Sequence, residues 1–197
     1  MRIIYLSNNP STNNLYNWLK NQENVELMHC REKIVLPVIQ KFNPDLVLSY
    51  GYRYIIKEPV IELFKGRIIN LHISYLPYNR GADPNIWSLL EDTPKGVTIH
   101  FIDKGVDTGD ILFQRKVEIN TNIHTLKTSY ELLHEEIQNL FFDNWNKISR
   151  FKFSPQRQIE NGSTHYIKDF DLIKDKLLGE KEWDIPLNEL IENYRKQ

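Results

Sequence analysis

The chain has 197 residues, the size of one ordinary domain, so two full domains would be a squeeze. Hydrophobic residues make up 41% and aromatic residues 12%, which allows a sizeable core and argues against disorder. With 25 basic and 26 acidic residues and one cysteine, the chain lacks the basic excess of a nucleic-acid binder. It also cannot form an intramolecular disulfide or a thiolate metal cluster. A near-neutral chain can still hold a phosphate locally. The opening MRIIYLSNNP has neither the charged nor the apolar region of a signal peptide. No apolar run approaches the length that spans a bilayer. The expectation is a cytoplasmic protein with no membrane and no nucleic-acid partner.

Taken in order, residues 2–6 (RIIYL) read as a strand, closed by the turn-rich SNNPSTNN. Residues 15–20 have helical spacing, and residues 25–30 are a second strand candidate. Residues 34–42 suit a helix whose start is blurred by Pro37. Residues 45–50 (DLVLSY) are a nearly continuous apolar run, as in a strand buried on both faces. A short helix over 60–64 and a strand over 67–73 follow. Pro84 suits the first turn of a helix over 84–90. Residues 96–102 and 110–119 are further strands. The longest helix is expected over 126–149, where Leu126, Tyr130, Leu133, Ile137, Leu140 and Phe141 repeat at spacings of three and four. The tail from Phe151 is polar, with a short strand candidate at 165–167 and charged, helical pieces after Leu172. Strands alternating with helices imply an α/β fold, a mostly parallel twisted sheet flanked by helices.

The stretch from Asn70 to Asp110 carries the chemistry. Asn70 and His72 sit two apart near the end of a buried strand, so an amide and an imidazole share one face. In an open parallel sheet, ligands bind at the carboxyl ends of the strands. Asp107 lies in DKGVDTGD, where Gly105 and Gly109 permit a tight loop that can aim a carboxylate at a neighbouring strand end. Imidazole, amide and carboxylate together fit proton transfer with oxyanion stabilisation. The bland reading is a strand satisfied by its own loop and an aspartate that forms a turn. On the residues alone it has at least equal weight.

The segment resembles the 10-formyltetrahydrofolate-dependent formyltransferase family, in particular its sugar N-formyltransferase branch. Family members carry Asn-x-His, Leu-Pro-x-x-Arg-Gly, a Pro and a Trp on a helix, Gly-Val-Thr and an Asp-Thr-Gly loop. Here these are Asn70 and His72; Leu76, Pro77, Arg80 and Gly81; Pro84 and Trp87; Gly96, Val97 and Thr98; and Asp107, Thr108 and Gly109. Order and spacing both match. Ser74 stands where the family often has a proline. The resemblance implies a Rossmann-like formyltransferase fold, with a catalytic domain over 1–150 and a short extension over 151–197 that is not an independent domain. It implies catalysis by Asn70, His72 and Asp107, with 10-formyltetrahydrofolate as cosubstrate. The folate is expected between Tyr50, Gly51, Tyr52 and Ile55 on one loop and Asp103 and Gly105 on the other. Ordinary aromatic packing competes for the two tyrosines.

The family offers several acceptor amines. A tRNA-directed member is expected to carry a further C-terminal domain and a basic surface. A glycinamide ribonucleotide formyltransferase is expected to hold its phosphate on a Gly-rich first loop, whereas SNNPSTNN has no glycine. The segment GSTHYIKDFDL resembles a tail seen in the sugar branch. The leading expectation is therefore a nucleotide-linked amino sugar, with glycinamide ribonucleotide as the alternative. Substrate contacts are expected from Asn79, Arg80, Trp87, His165, Tyr166 and Lys168. For Trp87 core packing has equal weight, and for the tail residues a surface strand or a dimer interface does. The histidines at 29, 100, 124 and 134 read as structural or solvated, and no metal site is visible. The apolar stripe of the long helix and the aromatic tail could serve a homodimer.

Overall fold

The computed structural model describes residues 1–158 and 162–196. Its elements in chain order are β1 (Arg2–Leu6), α1 (Asn13–Lys20), β2 (Glu26–Cys30), α2 (Leu36–Phe42), β3 (Leu46–Tyr50), α3 (Glu58–Leu63), β4 (Ile68–His72), β5 (Arg80–Gly81) and α4 (Pro84–Leu90). Then come β6 (Gly96–Phe101), β7 (Ile111–Lys116), α5 (Leu126–Ile148), β8 (Thr164–His165), α6 (Ile167–Asp171), α7 (Lys174–Leu178) and α8 (Leu187–Arg195). Pro37 falls in the first turn of α2, where its missing N–H costs nothing.

The main sheet has the order β2-β1-β3-β4-β6-β7. Strands β2, β1, β3 and β4 are parallel. Strands β6 and β7 run antiparallel to their neighbours, because the short loop from 102 to 110 can only return the chain as a hairpin. Two consequences position the site. The chain leaves β1 for β2 on one side and reaches β3 on the other, which opens a crevice at the carboxyl ends of β1 and β3. The antiparallel register of β4 and β6 sets His100 directly opposite Asn70, and Thr98 opposite His72.

Apolar residues are buried on both sheet faces. On one, Ile3, Leu46, Leu48, Ile69, Val97 and Ile99 meet α1 and α5. On the other, Ile4, Val47 and Ile68 meet residues of α2 and α3. The stripe of α5 faces inward: Leu133, Ile137, Leu140 and Phe141 are buried in the first of these clusters, each contributing roughly 1.5–3 kcal/mol, and Leu126 is buried nearer the tail. That corrects the idea that the stripe is free to make a dimer. Its surface is used up within the chain.

The tail packs back as well. Phe170, Leu177, Ile185, Leu187 and Leu190 join Ile86, Trp87, Leu89 and Leu90 of α4 and Leu126 of α5 in a separate cluster. Strand β8 pairs in parallel with β5, Arg80 opposite Thr164 and Gly81 opposite His165. Among the described residues, no helix is long and apolar enough to cross a membrane.

Candidate active site

Strand β4 carries Asn70 and His72 to the middle of the sheet, flanked by buried Ile69 and Leu71. The chain then loops out and returns as β5, which brings two groups back over the strand end. The Asn79 carbonyl accepts a hydrogen bond from His72 Nε2 at 3.0 Å. That nitrogen therefore carries a proton, and Nδ1 is turned to Asp107 Oδ2, 3.6 Å away. The gap is too wide for a hydrogen bond. Nδ1 can take a proton there, and the carboxylate would then stabilise the imidazolium.

Asp107 is held from several sides. Gly81 N–H donates to its Oδ2 at 2.9 Å, and Asn70 Nδ2 donates to its Oδ1 at 3.2 Å. His100 Nε2 lies 3.4 Å from Oδ1. Burial by itself raises the carboxyl, but His72, His100 and the Gly81 N–H outweigh it and hold Asp107 well below the usual carboxylate range. Asp107 sits in the left-handed region at φ 51°. A Cβ at Gly109 would fall 1.8 Å from the Phe101 carbonyl oxygen, so this turn accepts only glycine there. The loop is also buckled internally, since Asp103 Oδ1 accepts from Gly105 N–H and Thr108 Oγ1.

A cavity of about 290 Å³ opens onto Asn70, His72 and Asp107 and runs on past Tyr50, Gly51, Tyr52 and Gly81 to Asn9, Asp83, Tyr130 and His134. The three expected catalytic residues thus meet at one cavity. The expected folate residues divide. Tyr50, Gly51 and Tyr52 line this cavity, but both phenols are engaged by the protein: Tyr50 bonds His134 Nδ1, and Tyr52 donates to the Glu32 carbonyl. Asp103 and Gly105 line a second cavity of about 340 Å³ with Ile61, Glu62, Lys65, Ile102 and Lys104. Ile55 is 77% exposed and lines neither.

None of the six expected substrate contacts lines the cavity that holds the trio. Asn79 is fully buried, its amide donating to Thr93 and its Oδ1 accepting from Ser163. Arg80 donates through Nε and Nη2 to Gln158. Trp87 faces the α4 core and stacks on His165 at 4.1 Å with the rings 6° from parallel, while His165 Nε2 lies 3.2 Å from Glu91 Oε1. Tyr166, which caps the start of α6, and Lys168 within it are exposed, the ammonium 6.0 Å over the ring.

Several working residues are missing from the expected set. His100, expected to be structural or solvated, donates its Nδ1–H to the Phe101 carbonyl at 2.7 Å and places its Nε2 3.3 Å from Asn70 Nδ2. Its only sequence signal is the β4–β6 register, which a linear reading cannot supply. Gln158 donates to the carbonyls of Asp107 and Gly109, each at 2.8 Å, while accepting from Arg80. It ties the tail to the catalytic loop. His134 is also at the cavity, 5% exposed, and burial lowers it to about 4, so it is neutral near pH 7.

With this geometry, a match of residues 12–144 to the formyl transferase family is decisive. The chain belongs to the formyl transferase family. A solved formyltransferase, PseJ from Anoxybacillus kamchatkensis, in complex with UDP-4,6-dideoxy-4-formamido-L-AltNAc and tetrahydrofolate, is 42% identical with a TM-score of 0.88. The match covers 98% of this chain and 100% of that one. A 4-N formyltransferase from Francisella tularensis, 20% identical at a TM-score of 0.78 over 98% of this chain and 87% of that one, shares the fold. Methionyl-tRNA formyltransferase of Finegoldia magna is 31% identical over 166 residues, 76% of this chain and 52% of the relative. The chain spans about half the length of such curated relatives. The family and the α/β formyltransferase fold are thus as the motifs implied.

Proposed function

We propose that this formyl transferase is an N-formyltransferase that uses 10-formyltetrahydrofolate to formylate the amine of a nucleotide-linked amino-deoxysugar. The observation that carries the reading is the meeting of Asn70, His72 and Asp107 at one cavity. An amide donor, an imidazole and a carboxylate are the set acyl transfer to an amine requires. When bound, the folate supplies the activated formyl carbon; the acceptor nitrogen takes the formyl group and the folate nitrogen takes a proton.

Asn70 stabilises the charge that builds on the formyl oxygen. Its contacts to Asp107 and His100, at 3.2 and 3.3 Å, are long enough to be exchanged for an oxyanion. His72 Nδ1 accepts the proton that the amine sheds. Asp107 stabilises the imidazolium across the 3.6 Å gap and holds Asn70 and the Gly81 N–H in register. The amino-sugar acceptor is supported by the full-length likeness to PseJ, whose complex contains a formamido sugar nucleotide. The curated relatives favour methionyl-tRNA as a second acceptor.

The test is tetrahydrofolate release from 10-formyltetrahydrofolate, with UDP- and dTDP-linked amino sugars, glycinamide ribonucleotide and methionyl-tRNA offered separately. Turnover with an amino sugar alone is expected. Turnover only with either of the others would overturn the acceptor assignment, and turnover with none would overturn the activity.

A further inference from the structure

Beyond the trio, the cavity ends on Asp83, Tyr130 and His134, and no step above uses them. Asp83 precedes α4 with φ 51° and ψ 41°, in the left-handed region. Aspartate is a favoured N-cap because its side chain can accept from the first helical turn. Here no such cap bond forms. The half-buried carboxylate has no hydrogen-bond or salt-bridge partner among the described residues, and burial together with the charge of Asp171 raises it. Leaving a carboxylate half-buried and unpaired is unfavourable, and glycine would hold this backbone at less cost.

A second, independent feature marks the same wall. His134 Nδ1 bonds the Tyr50 hydroxyl. The His134 carbonyl, 3.4 Å from that hydroxyl, already accepts from Gln138 Nε2 at 2.8 Å. Taking the shorter contact as the phenol's donation to Nδ1 places the imidazole hydrogen on Nε2. That N–H is buried and has no partner among the described residues. Tyr130 joins the two, its ring 4.3 Å from the His134 ring and its hydroxyl under the influence of the Asp83 charge. The wall thus offers one unused acceptor, the Asp83 carboxylate, in front of a buried His134 N–H without a protein partner among the described residues.

We propose that Asp83 is the specificity-determining residue for the acceptor: its carboxylate accepts a hydrogen bond from a hydroxyl or N–H of the amino sugar near the reacting amine. A sugar hydroxyl or N–H suits this acceptor, whereas a phosphate would be repelled by the carboxylate. This inference rests on the amino-sugar reading above.

The test uses Asp83→Asn, which keeps shape and tolerates a left-handed backbone, and Asp83→Gly, which removes the side chain and relieves the backbone. Steady-state kinetics with the amino-sugar nucleotide that the wild type turns over should show the acceptor KM raised roughly 10–100-fold in both. The KM for 10-formyltetrahydrofolate should be unchanged, and neither variant should melt earlier than the wild type. An unchanged acceptor KM in both variants overturns the inference while leaving the formyltransferase reading intact. So does a parallel rise in both KM values, which would mean that Asp83 only shapes the backbone. A wild type that formylates no amino-sugar nucleotide overturns the function reading and this inference with it.

Discussion

Replacing Asp107 by Asn changes few atoms but inverts part of the site. One carboxylate oxygen accepts from Gly81 N–H at 2.9 Å, and the other faces Asn70 Nδ2 and His100 Nε2 at 3.2 and 3.4 Å. Whichever way the new amide is turned, its NH2 opposes a donor. A hydrogen bond to a charged group contributes about 1.5–3 kcal/mol, so at least that much is lost locally at pH 7. The chemistry loses more. Without the carboxylate, the imidazolium formed on His72 has no counter-charge, and proton transfer of this kind is worth roughly 10²–10⁴ in rate. The expected result is a kcat lowered by about that factor, with melting a few degrees lower. Because Asp107 is held below its ordinary range, its stabilisation is full above the unfolded carboxyl value of about 3.9 and fades as pH falls below it. The gap in melting temperature between wild type and variant should stay constant from neutral pH to about 5 and close only in stronger acid. A folded Asp107→Asn protein with a kcat within about tenfold of wild type would refute the role given to this carboxylate.

Asn70→Ala should lower kcat by roughly 10²–10³ and leave the thermal melt nearly unchanged, since Asn70 is only half-buried; near-normal turnover would remove it from the oxyanion role. Gln158→Leu deletes two bonds to loop carbonyls and the anchor of Arg80; we expect a loss of about 1–3 kcal/mol in denaturant melts with kcat lowered, although Gln158 does not line the trio's cavity. Gly109→Ala drives a Cβ to 1.8 Å from the Phe101 carbonyl oxygen and should yield an inactive or poorly folded enzyme by circular dichroism. His134 is lowered to about 4, so below about pH 6.5 the unfolded chain binds a proton that the folded chain refuses. Stability should fall by about 1.4 kcal/mol per pH unit between about 6.5 and 4 from this group, and His134→Asn should flatten that slope in melts taken across the range.

Much of this protein is legible in its linear pattern, for identifiable reasons. The β-strand of residues 2–6 and the apolar run at 46–50 reflect burial on both sheet faces, and the stripe of α5 reflects burial on one side. Asn70 and His72 are paired by the two-residue period of a strand. The need for glycine at 109 is visible as a spacing, and the structure supplies the carbonyl that enforces it. The tail is less legible. Trp87 and His165 are aromatic and polar, as substrate platforms often are, but they stack on one another. Nothing local distinguishes a side chain that meets a ligand from one that meets a residue 78 positions away, as Arg80 meets Gln158.

The periodicities, the family motif and the three side chains that meet at the cavity can be read from the linear pattern, because each sits in a short motif of fixed spacing. Tertiary structure alone decided which other groups join them. His100 enters through the antiparallel β4–β6 register, Gln158 through the docking of the tail, Asp83 through the start of α4 and His134 through the packing of α5 beside the cavity. Those partners are far apart in the chain. Their meeting is set by how the sheet and helices pack, which no local pattern encodes.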